Sequence, residues 1–418
     1  MNASRRWSSP SSTNTTAVNG GTCFRTPPWV LDRWCEEIGT DEFERSKMAP
    51  AFERVESILQ TQPAQRQHIG RIADIFERGC DALGWSHFAI VRNAPGCEGS
   101  GFCDFGCRTD ARRSTNISYV PPALERGAML FTGLRAERVL RENGRAVGVE
   151  CATKNGKTIR VRGKAVVFAG GALPTPMFLM KQGLANSSGE LGKNLTLHPS
   201  GGMSALFEDQ VRGFEHIPQG YGCDEHLRDG ILLTAAQPDF NYAPMLFPFA
   251  GRRLMEVMNE IEHVASFAIL ISDSTKGRIA LDVSGNATAY YRVSAEDAAR
   301  YHRGLVAMSE ICWEAGAKKI WPAILGMDTV EKSERKKFRS HEVSPSELLL
   351  TSYHPLGTCK MGKDPKTSVV GLDHEVHDVP GLFIADGSTV PGPLGVNPQL
   401  TIMAMATRAA GKIADKIG

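Results

Sequence analysis

Residues 164–171 read Lys-Ala-Val-Val-Phe-Ala-Gly-Gly, an apolar run that ends in two glycines and leads towards Pro174. A parallel strand that is covered by helices on both faces has this form, because neither face needs polar side chains. Residues 381–387, Gly-Leu-Phe-Ile-Ala-Asp-Gly, are a second run of the same kind near the end of the chain. We therefore predict one α/β domain that is shared by the first and last thirds of the chain.

The segment before residue 164 predicts an antiparallel meander. Asn143-Gly144 and Asn155-Gly156 are hairpin turn signals, because these two residue types tolerate the positive φ angles that a tight turn requires. The strands predicted next to these turns cover residues 128–132, 136–141, 146–152 and 158–162.

Apolar residues at helical spacing predict helices along the whole chain. Their ranges are 28–34, 49–59, 68–83, 115–124, 174–182, 251–262, 295–315 and 398–417. In the middle third, strand-like runs at 266–272 and 278–283 alternate with helices. This mixture predicts an α+β domain that interrupts the α/β domain.

Size and composition favour a globular protein with a small-molecule partner. The 418 residues, 42% of them hydrophobic, can bury a large core in two domains. A net charge of +2 with dispersed basic residues gives no reason to expect binding to nucleic acid. No apolar run reaches the length of about 18 residues that a transmembrane segment needs. Ten cysteines are too sparse for a disulfide scaffold, so we expect a cytoplasmic location.

The final predicted helix begins at Asn397-Pro398. An asparagine at the cap position and a proline in the first turn are typical of a helix start. The apolar face of this helix would hold its first turn in the interior, where unpaired N–H groups attract negative charge. Taken alone, the same pattern also fits a capped core helix without any catalytic role.

Several motifs together resemble the glucose-methanol-choline (GMC) oxidoreductases. Three of them lie close together near the end of the chain: H-P-x-G-T-C-x-M-G at 354–362, G-L-F-x-A-D-G-S at 381–388 and G-x-N-P-Q-L-T-I at 395–402. Further matches are residues 171–176, residues 192–199, which read G-K-N-L-T-L-H-P, and residues 19–22. Within the family, the chain looks most similar to long-chain alcohol oxidases and flavin-dependent sugar dehydrogenases.

The resemblance implies a discontinuous, Rossmann-like domain that binds FAD, together with a substrate domain built on an antiparallel sheet. We assign residues 1–25, 108–205 and 375–418 to the first and residues 26–107 and 206–374 to the second. Members of the family begin with a strand, a G-x-G-x-x-G turn and a helix that bind the pyrophosphate. This sequence contains no G-x-G-x-x-G, so we expect the domain to lack its first βαβ unit.

The resemblance also implies a reaction and its residues. His354 would act as the base towards an alcohol hydroxyl and Asn397 would position that hydroxyl, while a hydride passes from a primary or secondary alcohol to flavin N5. An imidazole has a pKa suited to this proton step, although a structural histidine is the alternative. For His198, structural and functional roles are equally open. The predicted cofactor-binding residues are Asn19, Gly20, Asp386, Gly387, Asn397, Pro398, Gln399 and Thr401.

Cys97, Cys103 and Cys107 form a C-x5-C-x3-C loop rich in glycine. Three thiolates on such a loop could bind one iron-sulfur cluster or a zinc ion, since both are held by soft ligands. The spacing resembles an iron-sulfur loop found in some membrane-linked glucose dehydrogenases of the family. Related alcohol oxidases also carry cysteine- and glycine-rich loops here, and no fourth cysteine lies nearby, so a loop without a cluster is the alternative.

Two function classes stay open from the sequence. One is an active FAD-dependent alcohol oxidase or dehydrogenase that passes electrons to oxygen, a quinone or a cytochrome. The other is a truncated, inactive remnant, or a fragment that binds a partner without retaining FAD. Aromatic and apolar residues within 240–249 favour a lipid-like or sterol-like alcohol, with packing in the core as the alternative.

Overall fold

The computed structural model describes residues 21–240 and 243–418. Of the predicted site residues, Asn19 and Gly20 lie outside the described residues. Tyr242 and the side chain of Met245, which belong to the aromatic and apolar segment 240–249, lie outside them as well. None of the described helices combines the length and the apolar character that a membrane span requires.

The α-helices confirm most of the predicted ranges. Their bounds are α1 Pro28–Ile38, α2 Arg45–Leu59, α3 Arg66–Ile69, α4 Ile72–Leu83, α5 Thr115–Ser118, α6 Val120–Glu125, α7 Pro174–Met180, α8 Arg252–Asn259, α9 Ala295–Glu314, α10 Arg335–Arg339 and α11 Gln399–Ile417. The helix expected over 68–83 is broken between α3 and α4 at Gly70, which has a φ of +73°. This left-handed conformation ends a helix, and glycine adopts it without strain.

The strands form five sheets in the described residues. Their bounds are β1 Gln62–Pro63, β2 His87–Ala89, β3 Val91–Arg92, β4 Leu134–Glu142, β5 Arg145–Thr153, β6 Thr158–Arg162, β7 Val166–Phe168, β8 Ser200–Leu206, β9 Tyr221–Cys223, β10 Ile231–Ala235, β11 Val264–Ile271, β12 Arg278–Leu281, β13 Ala287–Tyr290, β14 Lys319–Trp321, β15 Val330–Glu331 and β16 Leu382–Ile384.

The largest sheet has seven strands in the order β15-β14-β8-β11-β10-β9-β2, and every neighbouring pair in it is antiparallel. Helices α4 and α9 cover one face and share its core. A Cβ atom at Gly79 in α4 would collide with the carbonyl oxygen of Ile311 in α9, so glycine permits this close approach. The predicted antiparallel sheet of the α+β part is therefore present.

Strands β7 and β16 are parallel neighbours, with Val166 paired to Leu382 and Phe168 to Ile384. They are the two apolar runs at 164–171 and 381–387, so the prediction of an α/β unit shared by distant segments is confirmed. The ends of both strands point the same way. The turns that follow them, 169–174 and 385–389, therefore meet at one edge, where ligands bind in open parallel sheets.

The predicted meander is confirmed for β4, β5 and β6, which turn at Asn143-Gly144 and Asn155-Gly156. The strand predicted at 128–132 is wrong, because this segment is irregular. A strand needs a neighbour to satisfy its backbone, and in the described residues this segment pairs with none. Met129, Leu130 and Phe131 are instead 81%, 61% and 61% exposed.

The buried apolar side chains form two large, separate hydrophobic cores. One contains the helix-covered face of the seven-stranded sheet, and the other contains β7, β16 and α11. Helices α1 and α2 contribute Val30, Trp34 and Leu59 to the second core, although the sequence assigns residues 26–107 to the substrate domain. The domain boundaries stay a prediction.

Candidate active site

His354 and Asn397 meet at the centre of the candidate site. Nδ2 of Asn397 lies 3.3 Å from Nε2 of His354, although the residues are 43 positions apart. An amide nitrogen only donates, so Nε2 of His354 accepts this hydrogen bond and carries no proton. Two atoms at this separation can both lie within hydrogen-bond distance, about 2.7–3.0 Å, of one oxygen atom. A hydroxyl can therefore replace this direct bond, accepting from Asn397 and donating to Nε2 of His354.

Asn397 does not cap the final helix, contrary to the sequence-based expectation. The N-cap residue of α11 is Pro398, and no side chain caps the helix. The amide nitrogen of Asn397 points to His354 instead. The residue thus stands just outside the helix, with its side chain free to contact a substrate.

The imidazole of His354 is neutral in this setting. Burial, together with the neighbouring His198, lowers the pKa of His354 to about 3. Its Nδ1 is buried and has no hydrogen-bond partner among the described residues. A general base must be unprotonated when the substrate arrives, and His354 meets this condition at neutral pH.

Asp386 connects the two turns that follow β7 and β16. One carboxylate oxygen accepts hydrogen bonds from the Gly171 N–H at 2.9 Å and the Thr175 hydroxyl at 2.6 Å. The other accepts from the Ser388 N–H at 2.8 Å and the Ser388 hydroxyl at 2.5 Å. The carboxylate is therefore fully used by the protein. Asp386 would therefore affect a bound molecule by fixing the conformation of the two turns and less by contacting the molecule itself.

The other predicted cofactor residues lie around the start of α11. A Cβ atom at Gly387 would press on the side chains of Leu356 and Ile402, so the turn after β16 packs tightly against this helix. Oε1 of Gln399 is buried without a partner among the described residues. The hydroxyl of Thr401 lies 2.8 Å from that of Thr26.

The site fits the flavin that the family resemblance implies. The first N–H groups of α11 have no partner within the helix, as at every helix start, and they lie next to the His354–Asn397 pair. Gln399 Oε1 and His354 Nδ1 add two buried polar atoms that lack protein partners in the described part of the chain. A flat ring with several nitrogen and oxygen atoms can bind to such groups. The start of α11 and the pair would hold its reactive end.

His198, whose role sequence reasoning left undecided, packs against His354 and bonds to the backbone of the segment 394–395 that leads to Asn397. Its Nε2 accepts the N–H groups of Leu394 at 2.7 Å and Gly395 at 3.2 Å, just before Asn397. Its ring lies edge-on to the ring of His354 with centroids 5.7 Å apart. Only the H-P at the end of the run 192–199 marked this histidine in the sequence.

The three cysteines of the predicted metal site line one open cleft of about 360 Å³. Each sulfur has its own hydrogen-bond donor: Cys97 accepts from the Gly99 N–H, Cys103 from the Arg92 guanidinium and Cys107 from the Arg112 N–H, all at 3.3 Å. Burial raises the pKa of the Cys103 thiol. No group of three or more His, Cys, Asp or Glu residues within 21–240 and 243–418 could hold a metal ion. The described residues therefore show no metal site at this loop.

The aromatic and apolar segment 240–249 divides between core and surface. Phe247 is 6% exposed and packs edge-on against Trp321 in a small core cluster. Phe240 is 48% exposed and contacts Phe214. Packing in the core thus explains Phe247, whereas Phe240 is exposed enough to contact a ligand.

Stability should fall in mild acid because buried histidines must stay neutral. Burial lowers the pKa of His198 to about 3 and that of His374 to about 4. The unfolded chain takes up these protons below a pH of about 6.5, so stability present at neutral pH is lost as the pH falls. Each of these two histidines should lower the free energy of unfolding by about 1.4 kcal/mol when the pH falls from 7.5 to 5.5.

Urea unfolding of the chain and of His374→Asn at pH 7.5 and 5.5 would measure this loss. Asparagine tolerates the φ of +68° at this position and can donate to the Ile384 carbonyl as His374 Nδ1 does, but it does not titrate. The acid-induced loss should be about 1.4 kcal/mol smaller in the variant. An equal loss in both proteins would contradict the assignment.

Comparisons with family models and with curated proteins point to the same family. Two family models described as GMC oxidoreductase match residues 14–200 and 273–406. An uncharacterised GMC-type oxidoreductase of Mycobacterium tuberculosis is 31% identical over 404 residues, covering 96% of this chain and 64% of the relative. A long-chain-alcohol oxidase of Arabidopsis thaliana is 27% identical over 436 residues, covering 96% of this chain and 57% of the relative. The chain thus spans about three fifths of the length of these relatives.

Solved structures with low sequence identity share the fold. Formate oxidase from Aspergillus oryzae superposes with a TM-score of 0.72 at 14% identity, covering 95% of this chain and 82% of that one. Pyridoxine 4-oxidase from Mesorbium loti superposes with a TM-score of 0.69 at 16% identity, covering 94% of this chain and 82% of that one.

Proposed function

Because this chain belongs to the GMC oxidoreductase family, we propose that it oxidises a primary or secondary alcohol with FAD as the cofactor. The observation that carries the proposal is the His354–Asn397 pair, whose 3.3 Å separation suits one substrate hydroxyl. The pair lies at the start of α11, which offers donors for a flavin ring. The similarity to alcohol oxidases of Arabidopsis thaliana supports the same class of substrate.

In the proposed reaction, Asn397 and His354 act on the two sides of the hydroxyl group. The amide of Asn397 donates a hydrogen bond to the substrate oxygen and orients the carbon. Nε2 of His354 takes the hydroxyl proton, which raises the electron density on that carbon. FAD, when bound, supplies the acceptor for the hydride. The buried first turn of α11 stabilises negative charge close to the pair with fixed dipoles.

The experiment that tests the proposal is the visible absorption spectrum of the purified chain. A flavin spectrum that is bleached by alcohols without oxygen would support it. Long-chain alcohols, sterols, short diols and sugars form a suitable panel, and we expect the lipid-like members to react fastest. Mixing the reduced protein with oxygen, a quinone or a cytochrome would then identify the acceptor. We also propose a cytoplasmic location, which fractionation of the source cells would test.

A second candidate function is a fragment that binds a partner without retaining FAD. The run Met129, Leu130 and Phe131 favours it, since three exposed apolar neighbours are typical of a surface that binds another polypeptide. A colourless, folded protein that takes up no added FAD would support this candidate over the enzyme.

We expect the cysteine loop to hold no iron-sulfur cluster. Protein purified without oxygen should then contain neither iron nor acid-labile sulfide, and Cys103→Ser should leave its composition and spectrum unchanged. Iron and sulfide in the parent that disappear in Cys103→Ser would show instead that the loop is a cluster site.

A further inference from the structure

We propose that His198 is the positioning residue that fixes the catalytic pair, because it holds the backbone of Leu394 and Gly395, which leads to Asn397, and packs against the ring of His354. This inference rests on the proposed roles of His354 and Asn397. It adds the group that keeps them at their working separation.

The hydrogen bonds of His198 determine where its proton lies. Nε2 accepts from two backbone N–H groups, those of Leu394 and Gly395, and therefore carries no proton. A neutral ring then has its proton on Nδ1. These bonds fix the segment that leads into Asn397, so the position of the Asn397 amide depends on them.

The same ring also supports His354. The two imidazoles are 5.7 Å apart between centroids at an angle of 67°, an edge-to-face contact. Burial lowers the pKa of His198 to about 3, so the ring remains neutral and Nε2 remains an acceptor at neutral pH. A charged ring would carry a proton on Nε2 and would lose both bonds to the segment 394–395.

A buried carboxylate fixes the turn that carries His198. Asp273 accepts the N–H groups of Leu197 at 2.9 Å and His198 at 3.2 Å, and the hydroxyl of Tyr291 at 2.6 Å. His198 has a φ of +49°, a left-handed conformation that is costly for a histidine. Such strain persists only where the surroundings impose it, and it is frequent at functional sites. Asp273 and the segment 394–395 impose it here.

The test compares His198→Gln with His198→Met. The two new side chains have similar length, neither titrates and both meet the same strained φ, but only glutamine offers an oxygen acceptor. In the methionine variant, hydrogen exchange at the amides of Leu394 and Gly395 should be on the order of 10-fold faster, as expected for a lost hydrogen bond. The glutamine variant should exchange at close to the parent rate.

A second readout follows His354 directly. In protein labelled with 15N-histidine, the ring signals of His354 should shift in His198→Met and return towards the parent position in His198→Gln. In flavin-loaded protein, the methionine variant should lose about 10-fold in kcat with little change in KM. A role limited to overall stability would not move the His354 signals.

Three results would overturn the proposal. They are a parent protein with a proton on Nε2 of His198, equal exchange in the two variants, and a methionine variant with unchanged His354 signals and kcat. The protonation state of His198 is measured on the parent protein, so this test can be made even if a variant fails to fold. The exchange and NMR measurements need no flavin. They can therefore succeed or fail independently of the proposed function, which fails if no alcohol reduces the parent protein.

Discussion

Replacing His354 by alanine should slow alcohol-driven flavin reduction by on the order of 100-fold or more while the flavin stays bound. The imidazole lies within reach of the proposed hydroxyl position, and its Nε2 carries no proton in the resting arrangement. Alanine removes one of the groups that would contact the ring but leaves Gln399 and the start of α11 in place, so most cofactor binding should persist. Stopped-flow absorbance under anaerobic conditions would measure the rate, and the spectrum before mixing would give the flavin content.

His377→Ala is a matched control for this variant. His377 bonds to the hydroxyl of Ser368 and has no place in the proposed chemistry. In the His377→Ala variant, the alcohol should reduce the flavin at close to the parent rate. If His354→Ala also did so, the assignment of His354 as the base would be wrong.

Replacing Asp386 by alanine should destabilise the chain by about 3–5 kcal/mol, because four hydrogen bonds to a buried carboxylate are lost together. The turns after β7 and β16 would lose their connection at the edge where we place the cofactor. We therefore expect a lower flavin content as well. Urea unfolding would measure the first effect and the ratio of flavin to protein absorbance the second.

Asp378→Ala provides the comparison for Asp386. The exposed carboxylate of Asp378 accepts the N–H of Ser187 at 3.0 Å, so its removal should cost less than about 1 kcal/mol. A cost equally small for Asp386→Ala would contradict the hydrogen-bond account. An unchanged flavin content in Asp386→Ala would contradict its role at the cofactor site.

Local sequence patterns predicted the elements of this protein. The apolar runs at 164–171 and 381–387 became the parallel strands β7 and β16, and the two Asn-Gly turns joined the meander. These succeed because strand burial and turn geometry depend on residues that are neighbours in the chain. The strand predicted at 128–132 was wrong because a strand must pair with a second segment, and a local sequence pattern does not show whether such a segment is nearby.

Motifs gave the residue types of the site, but only the tertiary structure decided which of them meet. The sequence placed Asn397 as a helix cap, whereas packing turned its amide to His354, 43 positions away. Asp386 finds partners 211 and 215 positions away, and His198 holds a segment 196 positions away. Side-chain contacts across such separations arise from how the two cores fold against each other. The sequence alone therefore determined the elements and the family resemblance, and the tertiary structure decided the geometry of the site.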